Sequence, residues 1–458
     1  MQPGQVNAGA RLDRLPLSRF HRRILWLIGA GMFFDSFDIY LTGGVLGALV
    51  KSGWSSMALN ASFISVTFIG VLIGSLAAGF LGDRFGRRFS YQTNLAIFGL
   101  ASLAGAFAPS MNWLIVCRFV MGVGLGAEIV VGYATLTEFI PPEHRGRWAA
   151  LLSLITNSAV FVATLLGYLI LPSIGWRWMF VIPGIGALLV WVARKAMPES
   201  PRWLEQAGRG ADAERVLAAI EQEIAAEYPA TPLPAPSHGA ALPGRVGFTV
   251  LFARPVIRRT FVGITLNIVI NMVIYGFVAW IPTFLVKQGL TINATLGYTT
   301  LMSLGGPVGA FAGYLLADRI GRKRGIVVVS VAAALLGAAY ASASSIEMAT
   351  IVGFALFVAI FLLVALAIAA YVPELFPTEY RLRGTGVCNT FGRVASILVP
   401  SIVVSLFRLG GVAYVLGLLI GLLILQAIIV GLFGVETNRH SLEELAPEPL
   451  GAVQEGTV

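Results

Sequence analysis

A basic loop signature occurs twice in this 458-residue chain, once in each half. It reads GFLGDRFGRR at 79–88 and GYLLADRIGRK at 313–323. A second motif follows each copy at nearly the same distance, EFIPPEHRG at 138–146 and ELFPTEYRLRG at 374–384. Two motifs that repeat in the same order indicate a duplicated unit, which in an apolar chain is typical of transporters built from two halves.

The composition predicts a membrane protein. Hydrophobic residues make up 57% of the chain and charged residues 12%, which is too little polar surface to cover a soluble globule of this length. Apolar segments long enough to cross a hydrocarbon layer of about 30 Å occur six times in each half. We expect spans at 24–49, 60–82, 89–108, 111–137, 148–172 and 177–196, and then at 260–286, 293–317, 325–343, 347–371, 385–408 and 412–434.

The expected fold is therefore an all-α membrane protein with twelve transmembrane helices in two pseudo-symmetric six-helix bundles. We divide the chain into a first half at 1–197, a linker with amphipathic helical character at 198–258, a second half at 259–436 and a tail at 437–458. The arginine-rich N-terminus resembles the start of a signal peptide. The apolar run that follows is too long and has no small-residue cleavage site, so we interpret it as a retained first helix.

The distribution of basic residues predicts the orientation. Most of the 32 Lys and Arg residues fall in the tails, the linker and the loops on one side, whereas the opposite side holds Lys51, Arg177, Lys287 and Arg408. The positive-inside rule then places both termini in the cytoplasm, as expected for a bacterial inner-membrane protein. A nucleic-acid partner would need these charges on one face. We expect a monomer in the bilayer.

Enzyme and cofactor chemistry find little support in the sequence. Cys117 and Cys388 lie in apolar segments and provide neither a disulfide framework nor metal-ligand spacing. There is no nucleophile elbow and no Walker loop. We expect no cofactor and no metal.

Further motifs make a family resemblance specific: RFVMGVGLG at 118–126, PESPRWL at 198–204, PELFP at 373–377 and Glu436-Thr437. With the duplicated loops and the six-plus-six spans, the chain resembles the major facilitator superfamily over essentially its whole length. The resemblance is to the branch that holds sugar porters, organic ion transporters, and aromatic-acid or nicotinate proton symporters. It implies alternating access, in which two halves rock about a central site.

The repeated loops predict a cytoplasmic gate. Acids at helix ends can pair with arginines and lie near helix N-termini, which would close the inner side of the bundle. Simple topogenic charge is the alternative for the loop arginines. The candidate gate residues are Asp83, Arg84, Arg87, Glu138, Arg145, Glu199, Arg202, Asp318, Arg319, Arg322, Glu374 and Arg383.

Five ionisable side chains are expected well within the spans: Asp35, Asp38, Arg118, Glu128 and Arg393. Each would cost roughly 2.5–3.5 kcal/mol at a lipid-facing helix centre, so each should face a cavity or a partner. Asp35 and Asp38 share a helix face, and two close carboxylates in a low dielectric do not both ionise readily, which suits a proton carrier. The five charges sum to one excess acid, which one bound proton would neutralise.

The resemblance assigns proton-coupling roles to four of these residues. Asp38 and Arg118 match the paired Asp and Arg of sugar porters, while the DSFD stretch at 35–38 resembles the Asp-Gly-Phe-Asp motif of aromatic-acid symporters. Glu128 follows Gly-Ala where nicotinate-type transporters have Gly-Gly-Glu. It is ten residues from Arg118, about 15 Å along a helix, so the two cannot pair directly. Static buried ion pairs are the alternative role.

Arg393 is the predicted substrate anchor. A guanidinium stays charged at mid-membrane and offers a planar fork to a carboxylate. Organic anion transporters and aromatic-acid symporters resemble this chain in having Arg here, whereas organic cation transporters have Asp. An internal ion pair with Glu128 or an Asp is the alternative.

Polar residues of the seventh span would complete the substrate site. Asn267, Asn271 and Tyr275 recur every four residues and therefore lie one above another. They could line the cavity or instead form helix–helix hydrogen bonds. Asn157 and Asn389 are weaker candidates for substrate contacts.

These observations predict proton-coupled uptake of a small organic anion, an aromatic or heteroaromatic carboxylate such as nicotinate or a hydroxybenzoate. A proton-coupled sugar porter is the first alternative, favoured by the PESPR motif but disfavoured by a buried arginine that a neutral sugar does not need. A drug or organic-cation exporter and a non-transporting membrane receptor are further alternatives.

Overall fold

The computed structural model describes residues 6–229, 233–235, 251–287, 289–376 and 381–437. Within these ranges all regular secondary structure is helical. The α-helices are α1 Ala8–Asp13, α2 Arg19–Lys51, α3 Met57–Phe85, α4 Arg87–Ala106, α5 Met111–Phe139, α6 Arg145–Ile170, α7 Trp178–Ala193, α8 Pro201–Gln206, α9 Gly210–Glu227, α10 Arg254–Val273, α11 Ile281–Lys287, α12 Ile292–Ser303, α13 Gly305–Ile320, α14 Arg322–Ala341, α15 Ile346–Leu363, α16 Val372–Glu374 and α17 Arg381–Phe433.

Nine helical segments of the described chain are long and apolar enough to cross a bilayer. The 53-residue α17 supplies two spans, because its backbone leaves helical geometry at Gly410 and Gly411. Two more predicted spans correspond to α4, whose first turn is basic, and to α12 with α13, which are separated at Leu304. The predicted all-α architecture of two six-helix halves is confirmed.

Two spans contain a π-helical stretch. One runs over Ile274–Val278 between α10 and α11, and the other over Val364–Tyr371 between α15 and α16. A π-helical turn inside a membrane helix shifts the side chains that follow it around the axis, and such turns are frequent at functional sites. Tyr275 lies in the first of them.

The chain packs as two compact units, Met1–Ala241 with Trp280–Thr300, and Leu242–Ala279 with Leu301–Val458. In the first unit α2 packs on α6, α3 on α5, and α4 on both α5 and α7. In the second unit α10 packs on α17, α13 on α15, and α14 on both α15 and α17. Counted by span, these are the same pairings, so the sequence duplication is also a duplication of packing.

The helices of the predicted linker pack within the first unit. The predicted amphipathic region at 201–228 forms α8 and α9, and one face of α9 is buried against α1 and the beginning of α2. The apolar residues of this contact include Leu12, Phe20, Leu217, Ile220 and Ile224. Burial of one face is what holds an amphipathic helix in place.

Candidate functional site

The loop signature of the first unit folds into a charged cluster at the start of α4. Gly86 has a φ of 99°, and a Cβ there would overlap the Glu199 carboxylate, so glycine is needed for two reasons. Glu199 accepts hydrogen bonds from the backbone N–H of Arg87 at 2.9 Å and of Arg88 at 3.1 Å. It thereby caps the α4 N-terminus, where a negative charge is favoured. The Arg87 side chain pairs with Glu138 at 3.0 Å.

The second unit repeats this cluster residue for residue. Gly321 has a φ of 84°, and Glu436 accepts from the Arg322 N–H at 2.8 Å, at the start of α14. The Arg322 side chain pairs with Glu374 at 3.1 Å. Thr437 adds a bond of 2.6 Å to Glu374. Glu436 therefore occupies the position that Glu199 occupies in the first unit. The sequence indicated Glu436 as part of a family motif but not as a gate residue.

Arg145 and Arg202 both pair with one acid, Asp13, which was not among the predicted gate residues. Asp13, the last residue of α1, accepts from Arg145 at 2.8 Å and from Arg202 at 2.5 Å. Arg202 also donates to the Glu138 backbone oxygen at 2.9 Å, which ties this acid to the first cluster. Burial lowers the pKa of Arg145 in spite of Asp13. A single acid within a basic N-terminal segment is the one signal that could have pointed to Asp13.

The remaining gate candidates are placed as follows. Arg84 is exposed, with its guanidinium 5.5 Å from the centroid of the Phe85 ring. Arg383 is exposed near the start of α17. The side chains of Asp83, Asp318 and Arg319 lie outside the described residues.

Asp38 and Arg118 form a buried ion pair between α2 and α5. The Arg118 guanidinium also donates to the hydroxyl oxygens of Thr67 at 3.2 Å and Thr42 at 3.3 Å, and it lies 4.7 Å from the Phe63 ring. The pairing implied by the resemblance is thus present in the structure. A proton-coupling role for the pair stays a prediction.

Glu128 pairs with Arg194, a residue that the sequence interpretation left at the membrane interface. Arg194 and Glu128 are each 1% exposed, and Nη2 lies 2.5 Å from Oε1. The guanidinium is fixed by the backbone oxygens of Leu27 at 2.8 Å and Ile28 at 2.9 Å. Neither Glu128 oxygen receives a hydrogen bond from a described residue, so the contact of Arg194 with Glu128 is a charge contact.

The expected set of five membrane charges was therefore wrong by one residue. Arg194 follows α7 in a short 3₁₀ turn that directs it inward, whereas Lys195 is exposed and lies over the Trp191 ring at 4.0 Å. Basic residues at span ends usually extend to the interface, so sequence position alone favoured the wrong assignment. The described spans of the first unit therefore contain three buried acids and two buried arginines.

Asp35 is the third buried acid, on α2 between the two ion pairs. It is 1% exposed, and neither carboxyl oxygen receives a hydrogen bond from a described residue. Burying a carboxylate without such bonds is strongly unfavourable. Among the buried acids described in this unit, Asp38 and Glu128 each contact an arginine, whereas no ion pair of the described residues includes Asp35.

The second unit contains Arg393, which is half-buried within α17. Its guanidinium is within hydrogen-bonding reach of the Tyr275 hydroxyl. Among the described residues, the ion pairs inside the membrane spans are Arg118 with Asp38 and Arg194 with Glu128, and neither includes Arg393.

The asparagines of α10 lie against α17. Asn271 donates to the backbone oxygen of Asn267 at 2.7 Å and accepts from Ser396 at 3.2 Å, so part of the polar stripe forms a helix–helix hydrogen bond. Asn267 is buried, and its side-chain oxygen has no partner among the described residues. Its amide donates to Gly263 at 3.0 Å.

The two weaker candidates lie on different helices. Asn157 is half-buried on α6 and donates to the Ser153 backbone oxygen at 2.9 Å, within the same helix. Asn389 is half-buried on α17, one turn before Arg393. A role in substrate contact remains a prediction for both.

Two helical halves with matching charged ends and ionisable groups inside their spans define a multi-pass membrane transporter, and comparison with known proteins gives its family. The family model of the Major Facilitator Superfamily matches residues 28–400 and 299–452, and the chain belongs to this family. It is therefore a transporter and not an enzyme.

Individual relatives are similar along nearly their full length. The chain is 40% identical to the inner membrane metabolite transport protein YdjE of Escherichia coli (strain K12), over 96% of this chain and 98% of that protein. It is 31% identical to the niacin transporter NiaP of Acinetobacter baylyi, over 95% and 99%. A partially occluded inward-open structure of the xylose transporter XylE from E. coli superimposes with a TM-score of 0.71 at 19% identity, covering 93% and 100%, which shows the shared fold.

Proposed function

We propose that this protein takes up a small aromatic or heteroaromatic carboxylate, such as nicotinate or a hydroxybenzoate, together with a proton. The observation that carries the proposal is Arg393, a guanidinium within a membrane span that reaches a tyrosine hydroxyl and is absent from the ion pairs of the described spans. A permanent positive charge in such a place favours an anion, and its planar fork fits a carboxylate.

The similarity to a niacin transporter supports the choice of a heteroaromatic acid. Nicotinate carries one carboxylate and one ring nitrogen. Arg393 could hold the carboxylate, while Tyr275, Asn271 and Asn267 offer hydrogen-bonding groups for the ring or its substituents. Asn157 and Asn389 are weaker candidates for substrate contacts.

The proton would be carried by the first unit. Asp38, Asp35 and Glu128 are buried, and Arg118 fixes Asp38. The described spans of this unit bury two arginines against these three acids. These five buried groups together carry one negative charge in excess, which one bound proton neutralises. A proton taken up together with an anion would leave the loaded protein with the same charge as the empty one.

The two loop clusters are proposed to act as the cytoplasmic gate. Each joins the start of one span, the end of another and a following segment through an arginine and two acids. Such pairs can hold the inner ends of the helices together in one state and release them in another. The orientation that the basic residues predict, with both termini in the cytoplasm, belongs to this proposal.

A proton-coupled sugar porter is the second candidate. The buried pair of Asp38 with Arg118 is the observation that favours it, because this is the pair that the sugar-porter resemblance implies. Arg393 separates the two candidates, because a neutral sugar gains little from a positively charged guanidinium. A cation exporter is opposed by the same positive charge.

Proteoliposomes test the proposal. With an inward proton gradient, the protein should accumulate radiolabelled nicotinate or 4-hydroxybenzoate, and the vesicle lumen should acidify as it does so. Unlabelled xylose in excess should not compete. Arg393→Gln should abolish accumulation, and Arg408→Gln, at the other end of the same span, is the matched control. Accumulation of xylose but of neither acid would reject the proposal in favour of the sugar porter.

A further inference from the structure

Two carboxyl groups and one guanidinium stand together in the first unit, and we propose that Asp35, Glu128 and Arg194 form one proton site. In it Arg194 is the positioning residue, Glu128 is its counter-ion, and Asp35 receives the transported proton. The inference deepens the proposed proton coupling and rests on it: it assigns the proton to Asp35 and leaves Asp38 in a fixed pair with Arg118.

The guanidinium is held in one place by the protein. Backbone oxygens of Leu27 and Ile28 accept two of its hydrogen bonds, and the Tyr91 ring lies 5.6 Å away. Gly31 makes room for it, because a Cβ at this position would overlap Nη2 and would lie 2.8 Å from Oε1 of Glu128. The charge contact of Arg194 with Glu128 therefore lies directly against the α2 backbone at Gly31.

Asp35 stands one helical turn from that contact. It follows Gly31 by four residues, so it lies on the same face of α2, about 6 Å further along the axis. The charged groups that face Asp35 are Glu128 from α5, Arg194 from the end of α7, and Asp38 on its own helix. Asp38 is already neutralised by Arg118, so Glu128 and Arg194 set the local field.

Four buried carboxyl oxygens, two on Asp35 and two on Glu128, receive no hydrogen bond from a described residue. One guanidinium can compensate one carboxylate but not two. The surroundings therefore accommodate Asp35 in its neutral form, with one proton bound to a carboxyl oxygen and the site electrically neutral. Loss of that proton to water leaves one net negative charge close to Arg194, and no other bond needs to form or break.

The site differs from the pair of Asp38 with Arg118 in the property that a carrier needs. Asp38 accepts a direct hydrogen bond from the Arg118 guanidinium, which two threonines also bind. Protonation of Asp38 would leave the buried Arg118 without its counter-ion. Asp35 can gain and lose a proton without breaking a hydrogen bond to any described residue. The positive charge of Arg194 lowers the cost of the anionic state of Asp35 and so allows Asp35 to release its proton.

Infrared spectroscopy of the purified full-length protein tests the site without any substrate. The wild type should show a carbonyl band of a protonated carboxyl group that disappears as the pH is raised. Asp35→Asn, which removes no hydrogen bond from a described residue, should fold and lack this band. In Arg194→Gln the band should persist to higher pH, whereas Arg194→Lys should restore the wild-type titration in part. Arg177→Gln, at the other end of α7, should behave as the wild type.

Transport assays distinguish a role in proton coupling from a purely structural role. With nicotinate as probe, Asp35→Asn and Arg194→Gln should lose at least ten-fold in gradient-driven accumulation while keeping counterflow exchange, because exchange requires no net proton movement. A band that survives Asp35→Asn, or a titration that is identical in folded Arg194→Gln and the wild type, would overturn the site. Should Arg194→Gln fail to fold, the Asp35→Asn and Arg194→Lys results decide. Wild-type protein that moves no nicotinate would count against the proposed function alone, since the infrared result stands independently.

Discussion

The two units are alike where they end and different where they cross the membrane. Arg87 with Glu138 and Glu199 is matched by Arg322 with Glu374 and Glu436, down to the positive-φ glycine before each arginine. Inside the described spans, the first unit buries three acids, two of which pair with arginines. The second unit presents Arg393 beside a tyrosine. The duplicated unit thus kept its loop chemistry and diverged in its interior, which is where we place coupling and specificity.

The largest predicted effect separates two aspartates on the same helix of the first unit. Asp38→Asn removes the partner of a buried arginine, and breaking such a pair costs about 3–5 kcal/mol. Asp35→Asn removes no described hydrogen bond, so we expect a change in unfolding free energy near zero or a small gain. Denaturation in detergent, followed by tryptophan fluorescence, measures both. Equal destabilisation by the two variants would contradict the contrast between a paired and an uncompensated acid.

Arg194 provides the next test, through the glycine that makes room for it. Gly31→Ala forces the guanidinium away from Glu128, and overpacking of this kind costs roughly 1–3 kcal/mol. Gly29→Ala, two residues earlier, meets the flexible end of Ile155 at 3.2 Å and should be nearly neutral. Thermal unfolding of the two variants compares them. If both glycines tolerate alanine equally, the close fit of Arg194 against α2 is not real.

Much of this contrast between the units could be predicted from the sequence. What could not be predicted was missed for physical reasons. Hydropathy and the repeated loops predict the twelve spans, because the bilayer fixes the length and polarity of each helix. Pairing of Asp38 with Arg118 followed from a motif. The buried position of Arg194 could not be predicted, because Arg194 and Lys195 together look like basic residues at the membrane interface. Only the turn after α7 directs Arg194 inward. Asp13 was missed because its partners are more than a hundred residues away.

The matched ends of the units predict matched consequences. Glu199→Gln and Glu436→Gln each remove a charge that caps a helix N-terminus, a contribution of about 0.5–2 kcal/mol. We therefore expect similar losses of stability from the two variants, with the helix content unchanged by circular dichroism. A loss confined to one unit would show that the two clusters are equivalent in geometry but not in energy.

The smallest effect belongs to the N-terminal segment, which has no counterpart in the second unit among the described residues. Burial alone would raise the pKa of Glu221, but hydrogen bonds from Arg11 and Arg14 outweigh it and hold this pKa below its usual value of 4.5. A lowered carboxyl pKa contributes stability that is present above pH 4.5 and is lost as the pH falls through the folded-state value. Glu221→Gln should lower the melting temperature slightly at neutral pH.

The acid dependence of that difference is the check. The melting temperatures of the wild type and Glu221→Gln should converge as the solution is acidified below pH 4.5. Glu214→Gln is the milder comparison, because the Glu214 carboxylate is more exposed and pairs with Arg11 but not with Arg14 among the described contacts. A difference between wild type and Glu221→Gln that is constant with pH would remove the ion pairs from the explanation.

The central claim is that the positive charge of Arg393 selects a carboxylate, and a pair of ligands with the same ring tests it most directly. Nicotinate carries a negative carboxylate where nicotinamide carries a neutral amide. Calorimetry of the two ligands with the purified protein therefore measures what the ligand's charge contributes to binding. The wild type should bind nicotinate at least ten-fold more tightly, in line with about 1.5–3 kcal/mol for a hydrogen bond to a charged group, and Arg393→Gln should bind the two ligands equally. If Arg393→Gln retains the full preference for nicotinate, the assignment of the anion site to Arg393 is contradicted.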